Sequence, residues 1–228
     1  MEQLGQTEHL LSVMSSKKTQ KRAQDIFDAL QERYPDAHCA LNYNSPLELL
    51  FATILSAQST DVGVNKATPE LFKSFPTLQA YANATPEEIE PYISSIGLFR
   101  SKAKSIHASA NMIVEVFNGE VPDTMIDLVK LRGVARKTAN VVLGNAFNKN
   151  EGIVVDTHVG RLSQRFGLTT ESKPEKIEKD LMELFPQEQW CKLSHLLVWH
   201  GRQVCKKRGG SCSTDSICAL YCKNRDSV

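Results

Sequence analysis

The sequence predicts an all-α fold, and three observations carry that prediction. Apolar residues recur at helical spacing from Lys21 onward. Helix-start signatures of the Ser/Thr-Pro-x-Glu type stand ahead of two of those runs. No stretch alternates long enough to make a strand of a sheet, the apolar triplet at 153–155 included.

The elements follow in order. Residues 1–20 are polar apart from a short apolar run at 10–14, too short for a signal segment, and are expected to form a flexible tail. Ile26, Leu30 and Tyr34, spaced four apart, mark the first helix, which Pro35 closes. In SPLELLFATILSAQ, Ser45 is placed as N-cap, Pro46 at the first helical position and Glu48 for a capping box; the apolar density implies burial on most sides. Thr60 and Asp61 are placed to cap the next helix, and TPEEIEPYI repeats the start signature with Thr85, Pro86 and Glu88. SKAKSIHASANMIVEVFNG carries Ile106, Ala110, Ile113 and Phe117 on one face and ends at Asn118 and Gly119. Further helices are expected at about 123–131, 137–147, 157–166, 174–185 and 187–204.

A chain of 228 residues with 41% hydrophobic content can bury a real core. Its net charge of +1 provides no whole-molecule field for a polyanion, so a nucleic-acid surface has to be a local patch. No stretch approaches the ~18 apolar residues of a membrane span, and the expectation is a soluble, intracellular protein. Of six cysteines, Cys205, Cys212, Cys218 and Cys222 crowd together near the end while Cys39 and Cys191 stand apart as candidate buried small hydrophobes. Such clustering in a chain of this kind points to metal rather than disulfides.

The local patch is in LRGVARKTANVV. Two helices meet at Gly133, and the amides of the turn and of the second helix's first turn lack intrahelical partners. With the partial positive charge of a helix N-terminus they suit a DNA phosphate and require no base contact. Lys130, Arg132, Arg136 and Lys137 crowd the same corner, with no acid between Lys130 and Lys137. On this segment alone, a hairpin with a solvated basic turn is an equal reading. Further on, VVDTHVGRL puts Asp156 at the start of another helix, where by itself it is an N-cap.

A glycine hairpin ending in lysine, followed about twenty residues later by Val-Asp-Thr-His, resembles the endonuclease III family of helix-hairpin-helix DNA glycosylases. The segments ILSAQSTDVGVNKATPELF, IGLFRSKAKSI, LRGVARKTANVVL, VVDTHVGRL and HGRQVC look like that family in its order, and the resemblance runs from about Lys21 to Cys222. It implies a bifunctional enzyme of base excision repair, which removes oxidised pyrimidines from double-stranded DNA and then nicks the strand at the abasic site. Lys137 matches the nucleophile that forms a Schiff base with the sugar, and Asp156 the essential carboxylate. An ordinary lysine amine, with pKa ~10.4, is less than ~0.1% neutral at pH 7, so Lys137 is expected in a partly desolvated cleft wall. Gln58 and Leu98 match the residues that fill the gap left by an extruded nucleotide; without the resemblance they read as a helix-end polar residue and a hydrophobic staple. His158 reads as a structural or phosphate-side residue.

The family carries a 4Fe-4S cluster on Cys-x6-Cys-x2-Cys-x5-Cys, whereas this chain has Cys-x6-Cys-x5-Cys-x3-Cys. Cys205 and Cys212 fit; Asp215 and Tyr221 stand where the other two are expected, with Cys218 and Cys222 displaced. Four thiolates within eighteen residues still suffice for a 4Fe-4S cluster, with zinc as the alternative. The centre would hold Lys206, Lys207 and Arg208 against DNA. A second departure lies in the hairpin, where the family's Pro-Gly-Val-Gly is replaced by Arg132, Gly133, Val134 and Ala135. If the missing glycine sat at positive φ, alanine there would cost about 1 kcal/mol and tilt an amide.

These readings imply two helical lobes flanking a DNA-binding cleft. One runs over 39–150 and contains the hairpin; the other joins 21–38 to 151–228 with its C-terminal iron-sulfur loop. Lys137 and Asp156 would face each other across the cleft. The partner is double-stranded DNA bearing a damaged pyrimidine or an abasic site, the protein a monomer, and its place the cytoplasm, at the bacterial nucleoid. Two alternatives stand beside this reading: an adenine-type monofunctional glycosylase, which lacks such a lysine, and a catalytically silent hairpin protein, against which retention of both Lys137 and Asp156 argues.

Overall fold

A computed structural model describes residues 2–208 and 210–223, with side chains from Lys17 onward. Among them every regular element is helical, and no helix is long and apolar enough to cross a membrane. The chain divides into two compact units, one of Cys39–Glu151 and the other of Met1–His38 with Gly152–Val228.

The first of these units holds α2 (Pro46–Ser56), α3 (Asp61–Ser74), α4 (Leu78–Asn83), α5 (Pro86–Ile93), α6 (Phe99–Val116), α7 (Met125–Leu128) and α8 (Arg136–Ala146). α2 is apolar on almost every side because it is central: it packs on α3, α6 and α8, and Leu49, Leu50, Phe51, Ala52 and Leu55 are fully buried. Ser45 caps it by accepting from the Glu48 amide at 3.2 Å. Glu48 reaches back one residue further than expected, taking the Asn44 amide at 2.6 Å. Thr60 caps α3 through the Gly63 amide at 3.1 Å, and Thr85 donates its amide to Glu88 at 2.7 Å at the start of α5. α6 ends as its sequence implies, with Asn118 (φ 53°) and Gly119 (φ 81°) in the left-handed region and the Gly119 amide bonded to the Ile113 carbonyl. The short α4 was not expected. It has only six residues and too few turns to show a period, and it exists because Tyr81 is buried against Phe51 and Phe75, with ring centroids at 4.7 and 5.1 Å.

The second unit holds α1 (Glu2–Arg33), α9 (Thr157–Arg165), α10 (Pro174–Leu184), a 3-10 turn (Gln187–Gln189), α11 (Trp190–Gln203) and α12 (Ser216–Tyr221). Its core centres on Ile26, Leu30, Val159, Leu162, Phe166, Leu193, Leu196 and Leu197. The break expected at residue 20 is absent: the helix begins at Glu2, so the tail assigned to 1–20 is helical over its described residues. The reason is cooperative. The packed turns around Ala23 and Ile26 supply the nucleus, and the preceding Gln, Lys, Ser and Leu residues add turns at little cost each, with no proline to stop them. The helix expected at 187–204 opens as the 3-10 turn and is α-helical only from Trp190, and Cys39 and Cys191 are half-buried rather than buried.

Candidate nucleic-acid interface and thiol centre

In the Cys39–Glu151 unit the corner between α7 and α8 depends on one glycine. Gly133 has φ 84°, and a Cβ there would lie 3.1 Å from that of Ser105 and 3.4 Å from Ile54, so both the turn and its seat on the core require glycine. The turn is tied down by the Ser109 hydroxyl, which donates to the Arg132 carbonyl at 3.0 Å, and by the Val134 amide bonded to the Leu131 carbonyl at 3.1 Å. Val134 therefore has its amide used within the turn and its side chain in the core, and offers less to a phosphate than the sequence implied. The feared cost at Ala135 is absent: it has φ −95° and ψ 171°, extended backbone that any residue adopts, and the left-handed position is Gly133. No side chain caps α8. Arg132, Arg136 and Lys137 are exposed around its start, the Arg136 guanidinium reaching the Glu151 carbonyl. Lys130 leaves the basic patch, because it pairs with Asp127 at 2.7 Å; that bond, with one from Thr124, holds the Asp127 carboxyl below its ordinary range. The desolvation expected around Lys137 is not built by the protein alone, since its side chain is exposed.

The same unit brings Gln58 and Leu98 together. They lie in different loops, Gln58 beyond the end of α2 and Leu98 as N-cap of α6, yet a Cβ on Gly97 would come within 3.9 Å of the Gln58 carbonyl and the Ser59 hydroxyl. Both have left-handed backbone, at φ 55° and 60°. Leu98 is 61% exposed, so it staples nothing.

In the other unit Asp156 is the N-cap of α9. One carboxylate oxygen, Oδ1, accepts from the His158 and Val159 amides at 2.8 Å each, and Oδ2 takes no part in the cap. α9 then ties this carboxylate to the loop after α11. The Arg161 guanidinium donates to the carbonyls of Gly201 (3.2 Å) and Cys205 (2.9 Å), and one turn later Arg165 donates to the Cys205 sulfur (3.0 Å) and the Lys206 carbonyl (3.1 Å). Between these elements opens a cavity of about 620 Å³ lined by Thr157, His158, Arg161, Gly201, Arg202, Lys206 and Lys207. Four of its lining residues are cationic and none is acidic, which makes it a second basic surface suited to phosphate. Burial pushes the His158 imidazole down, Asp156 pulls it up, and Arg161 and Arg202 push it down again. Arg161 and Arg202 were missed from the sequence; both stand inside the quoted segments VVDTHVGRL and HGRQVC, but nothing in their spacing sets them apart from ordinary surface arginines.

Of the four clustered cysteines, Cys205, Cys212 and Cys218 place their sulfurs within 4.8 Å of one another. Cys222, the C-cap residue of α12, is not one of this trio. Cys218 comes in because α12 forms: Asp215 caps that short helix, accepting from the Cys218 amide at 2.9 Å, and is itself held by Arg33 at 3.0 Å. Asp215 thus stands at the expected ligand position but points to Arg33 and His200. Burial opposes its ionisation, and the Cys218 amide and Arg33 overcome this and keep its carboxyl below the ordinary range. His200, fully buried, bridges the Tyr34 hydroxyl (3.0 Å) and the Cys218 sulfur (3.3 Å). Hydrogen bonds from Cys218 and Arg165 hold the Cys205 thiol well below its usual range, against its burial. Three soft sulfur donors at this spacing, one already favouring thiolate, fit a thiophilic metal centre. Gly210 closes the loop between the first two: a Cβ there would lie 2.5 Å from the Val204 carbonyl. Lys206, Lys207 and Arg208 are exposed on it.

Fold and site together define an all-helical protein that displays a glycine-cornered hairpin with an exposed lysine and carries a cysteine centre near its C-terminus. The family described as HhH-GPD superfamily base excision DNA repair protein matches residues 51–187. Endonuclease III of Synechocystis sp. is 51% identical over 212 residues, 92% of this chain and 96% of that protein. Two solved structures, a non-covalent endonuclease III-DNA complex and a trapped endonuclease III-DNA covalent intermediate, each superpose with TM-score 0.84 at 40% identity, covering 90% of this chain and 95% of theirs. The chain belongs to the endonuclease III family of HhH-GPD base excision DNA repair proteins.

Proposed function

We propose that this chain excises oxidised pyrimidines from double-stranded DNA and cleaves the strand at the resulting abasic site, with Lys137 as nucleophile and Asp156 as the assisting carboxylate. The observation that carries this is an exposed amine in the first turn of α8, a helix whose N-terminus no side chain caps. That helix end and the Gly133 turn suit a backbone phosphate, which sets the amine beside a sugar. A relative at 40% identity has been trapped as a covalent intermediate with DNA, as a lysine Schiff base predicts. Because the protein leaves Lys137 exposed, the exclusion of water around the amine falls to the bound duplex.

The chemistry follows from these groups. The target nucleotide leaves the stack, and Gln58 and Leu98 fill the gap. The Lys137 nitrogen bonds to C1′ as the base departs with its bonding electrons and a proton, and ring opening gives an iminium. Asp156, whose Oδ2 takes no part in the cap, is assigned the role of stabilising the positive charge that develops on the sugar and of passing protons. The iminium acidifies the C2′ hydrogen; its loss expels the 3′ phosphate and breaks the strand, after which water releases the lysine. Gly133, Ala135, Arg132 and Arg136 hold backbone phosphates at the hairpin, and Lys206, Lys207 and Arg208 do so in the other unit. The protein acts as a monomer, inside the cell where the chromosome is, in the cytoplasm.

For the cysteine centre the reading is a 4Fe-4S cluster on Cys205, Cys212, Cys218 and Cys222, supported by the convergence of three of the four thiols. When bound it would order the basic loop and supply no step of excision. About four irons per chain and a brown colour are expected; colourless protein with about one zinc per chain would replace the cluster with a tetrahedral ion.

The test of the catalytic reading is borohydride trapping on duplexes with an oxidised pyrimidine or an abasic site. Wild-type protein gives a covalent adduct and a nicked strand. Lys137→Ala abolishes both and leaves abasic-DNA binding within about tenfold, roughly 1.4 kcal/mol. Trapping that persists in the variant moves the nucleophile to another amine. Excision that needs later alkali to break the strand would make this an adenine-type enzyme, and absence of both activities a hairpin that only binds.

A further inference from the structure

Lys102 is 5% exposed in the second turn of α6, and its Nζ donates to the Ser59 hydroxyl at 2.8 Å, across 43 residues of sequence. Among the described residues no carboxylate lies within ion-pair distance of it. A buried ammonium without a counter-charge is destabilising, and burial accordingly pushes its pKa down. A methionine would fill the same space at lower cost, so packing does not explain why an amine stands there.

Its position does. Ser59 follows Gln58, and the Lys102 amide bonds to the carbonyl of Leu98, the N-cap residue of α6. One residue therefore joins the two tips, through its backbone on one side and its side chain on the other. Both tips carry strain. Gln58 and Leu98 are left-handed, as are Asn118 and Asn148. Asparagine tolerates that region, whereas glutamine and leucine lose about 1 kcal/mol or more in it and hold it only where their surroundings over-determine the backbone. A charge-assisted hydrogen bond to the residue next to Gln58 is such a constraint.

We propose that Lys102 is a positioning residue: its bond to Ser59 holds the Gln58 tip at a set spacing from the Leu98 tip, so that both enter the gap of one extruded nucleotide. The inference rests on Gln58 and Leu98 being the gap-filling residues. A gap one nucleotide wide leaves little tolerance, and a displacement of about 1 Å in a positioning group is enough to cost ~100-fold in the rate it supports.

The experiment compares single-turnover excision of an oxidised pyrimidine in a duplex with borohydride trapping on a single-stranded abasic oligonucleotide, where no gap exists. Lys102→Met keeps the length of the side chain and removes its donors; Ser59→Ala removes the acceptor. Each should lower the duplex-to-single-strand ratio about tenfold and weaken the fluorescence change of a 2-aminopurine placed opposite the lesion. Because the two share one bond, the double variant should be no worse than either single one. The melting temperature of Lys102→Met should equal or exceed that of the wild type, which separates positioning from a merely structural role. Gln58→Ala and Leu98→Ala are the controls for the underlying reading. If they lower the ratio and the strut variants do not, the strut is wrong; if they leave it unchanged, the gap-filling reading fails and the strut with it. Multiplying effects of the two single variants would also overturn the proposal, and Ser59→Ala keeps the test open if Lys102→Met fails to fold.

Discussion

The two units hold the residues proposed for function in opposite ways. In the Cys39–Glu151 unit an almost wholly apolar core supports residues displayed on the outside: Lys137, Arg132 and Arg136 are exposed at the start of α8, and Gln58 and Leu98 at strained loop tips. Removing such side chains takes nothing from the core. In the other unit the proposed groups are structural as well. Asp156 caps α9, Arg161 and Arg165 clamp the loop of Cys205, and the thiols connect through His200 to Tyr34 and through Asp215 to Arg33. A change in that network is felt as both activity and stability. The lesson is that a site on an apolar platform can be altered without touching the fold, whereas a site built into a polar network cannot.

The sharpest way to break this comparison is at Asp156. Asp156→Asn keeps the cap but cannot carry charge or take a proton, so excision should fall about 100-fold, roughly 2.7 kcal/mol in the barrier, with melting unchanged. Asp156→Ala should lose the same activity and in addition about 1 kcal/mol of stability. By contrast, Lys137→Ala should leave the melting temperature where it is. Equal stability of the two Asp156 variants would show that the cap contributes nothing and would erase the difference between the units.

The thiol centre extends the same contrast. If the centre holds metal as proposed, Cys205→Ser should remove it and lower the melting temperature by about 5 °C or more, the equivalent of ~2 kcal/mol in a chain of this size. The loss should appear in hydrogen exchange as reduced protection of α9, α11 and α12, with α2, α6 and α8 unaffected. DNA binding should weaken and its salt dependence flatten, because fewer ordered cations meet phosphate. Protection lost evenly across the chain would refute the separation.

Acid should also distinguish the units. Burial, then Lys192 and His38, push the His195 imidazole down to about 4. An unfolded histidine, near 6.5, takes up its proton first, so the stability that the neutral ring supports is present above pH 6.5 and is lost as pH falls toward 4. The full shift would correspond to about 3 kcal/mol, and the partial exposure of the ring reduces this to ~2 kcal/mol. Denaturant melts between pH 7 and 4 should show this decline in wild type and a smaller one in His195→Asn. An unchanged slope in the variant would remove His195 as the cause.

The smallest expected effect sharpens the reading of the hairpin. Since Ala135 has an ordinary extended backbone, Ala135→Gly should change abasic-DNA affinity by less than about twofold and lower stability by a few tenths of a kcal/mol through the freer unfolded chain. Gly133→Ala at φ 84° should cost more than 1 kcal/mol and weaken binding. A clear gain in affinity from Ala135→Gly would mean that the turn is distorted after all.

The sequence by itself determined the helical class, most element positions and the hairpin with its lysine, because these are written in local codes: the 3.6-residue period, cap residues, and a glycine between two helices. It also located Asp156 correctly as an N-cap. What it left open depends on contacts between distant segments. α4 and α12 are too short to show a period; one exists because Tyr81 packs on Phe51 and Phe75, the other because Asp215 caps it while Arg33, 182 residues away, holds Asp215. The length of α1 escaped notice because cooperative extension from a packed turn depends on the packing. Only the tertiary structure showed that Ala135 is unstrained and Gln58 and Leu98 are not, and that an amine on α6 reaches Ser59. Backbone strain and the burial of a charge are properties of where the chain is held, and the residues that do the holding are far away along it.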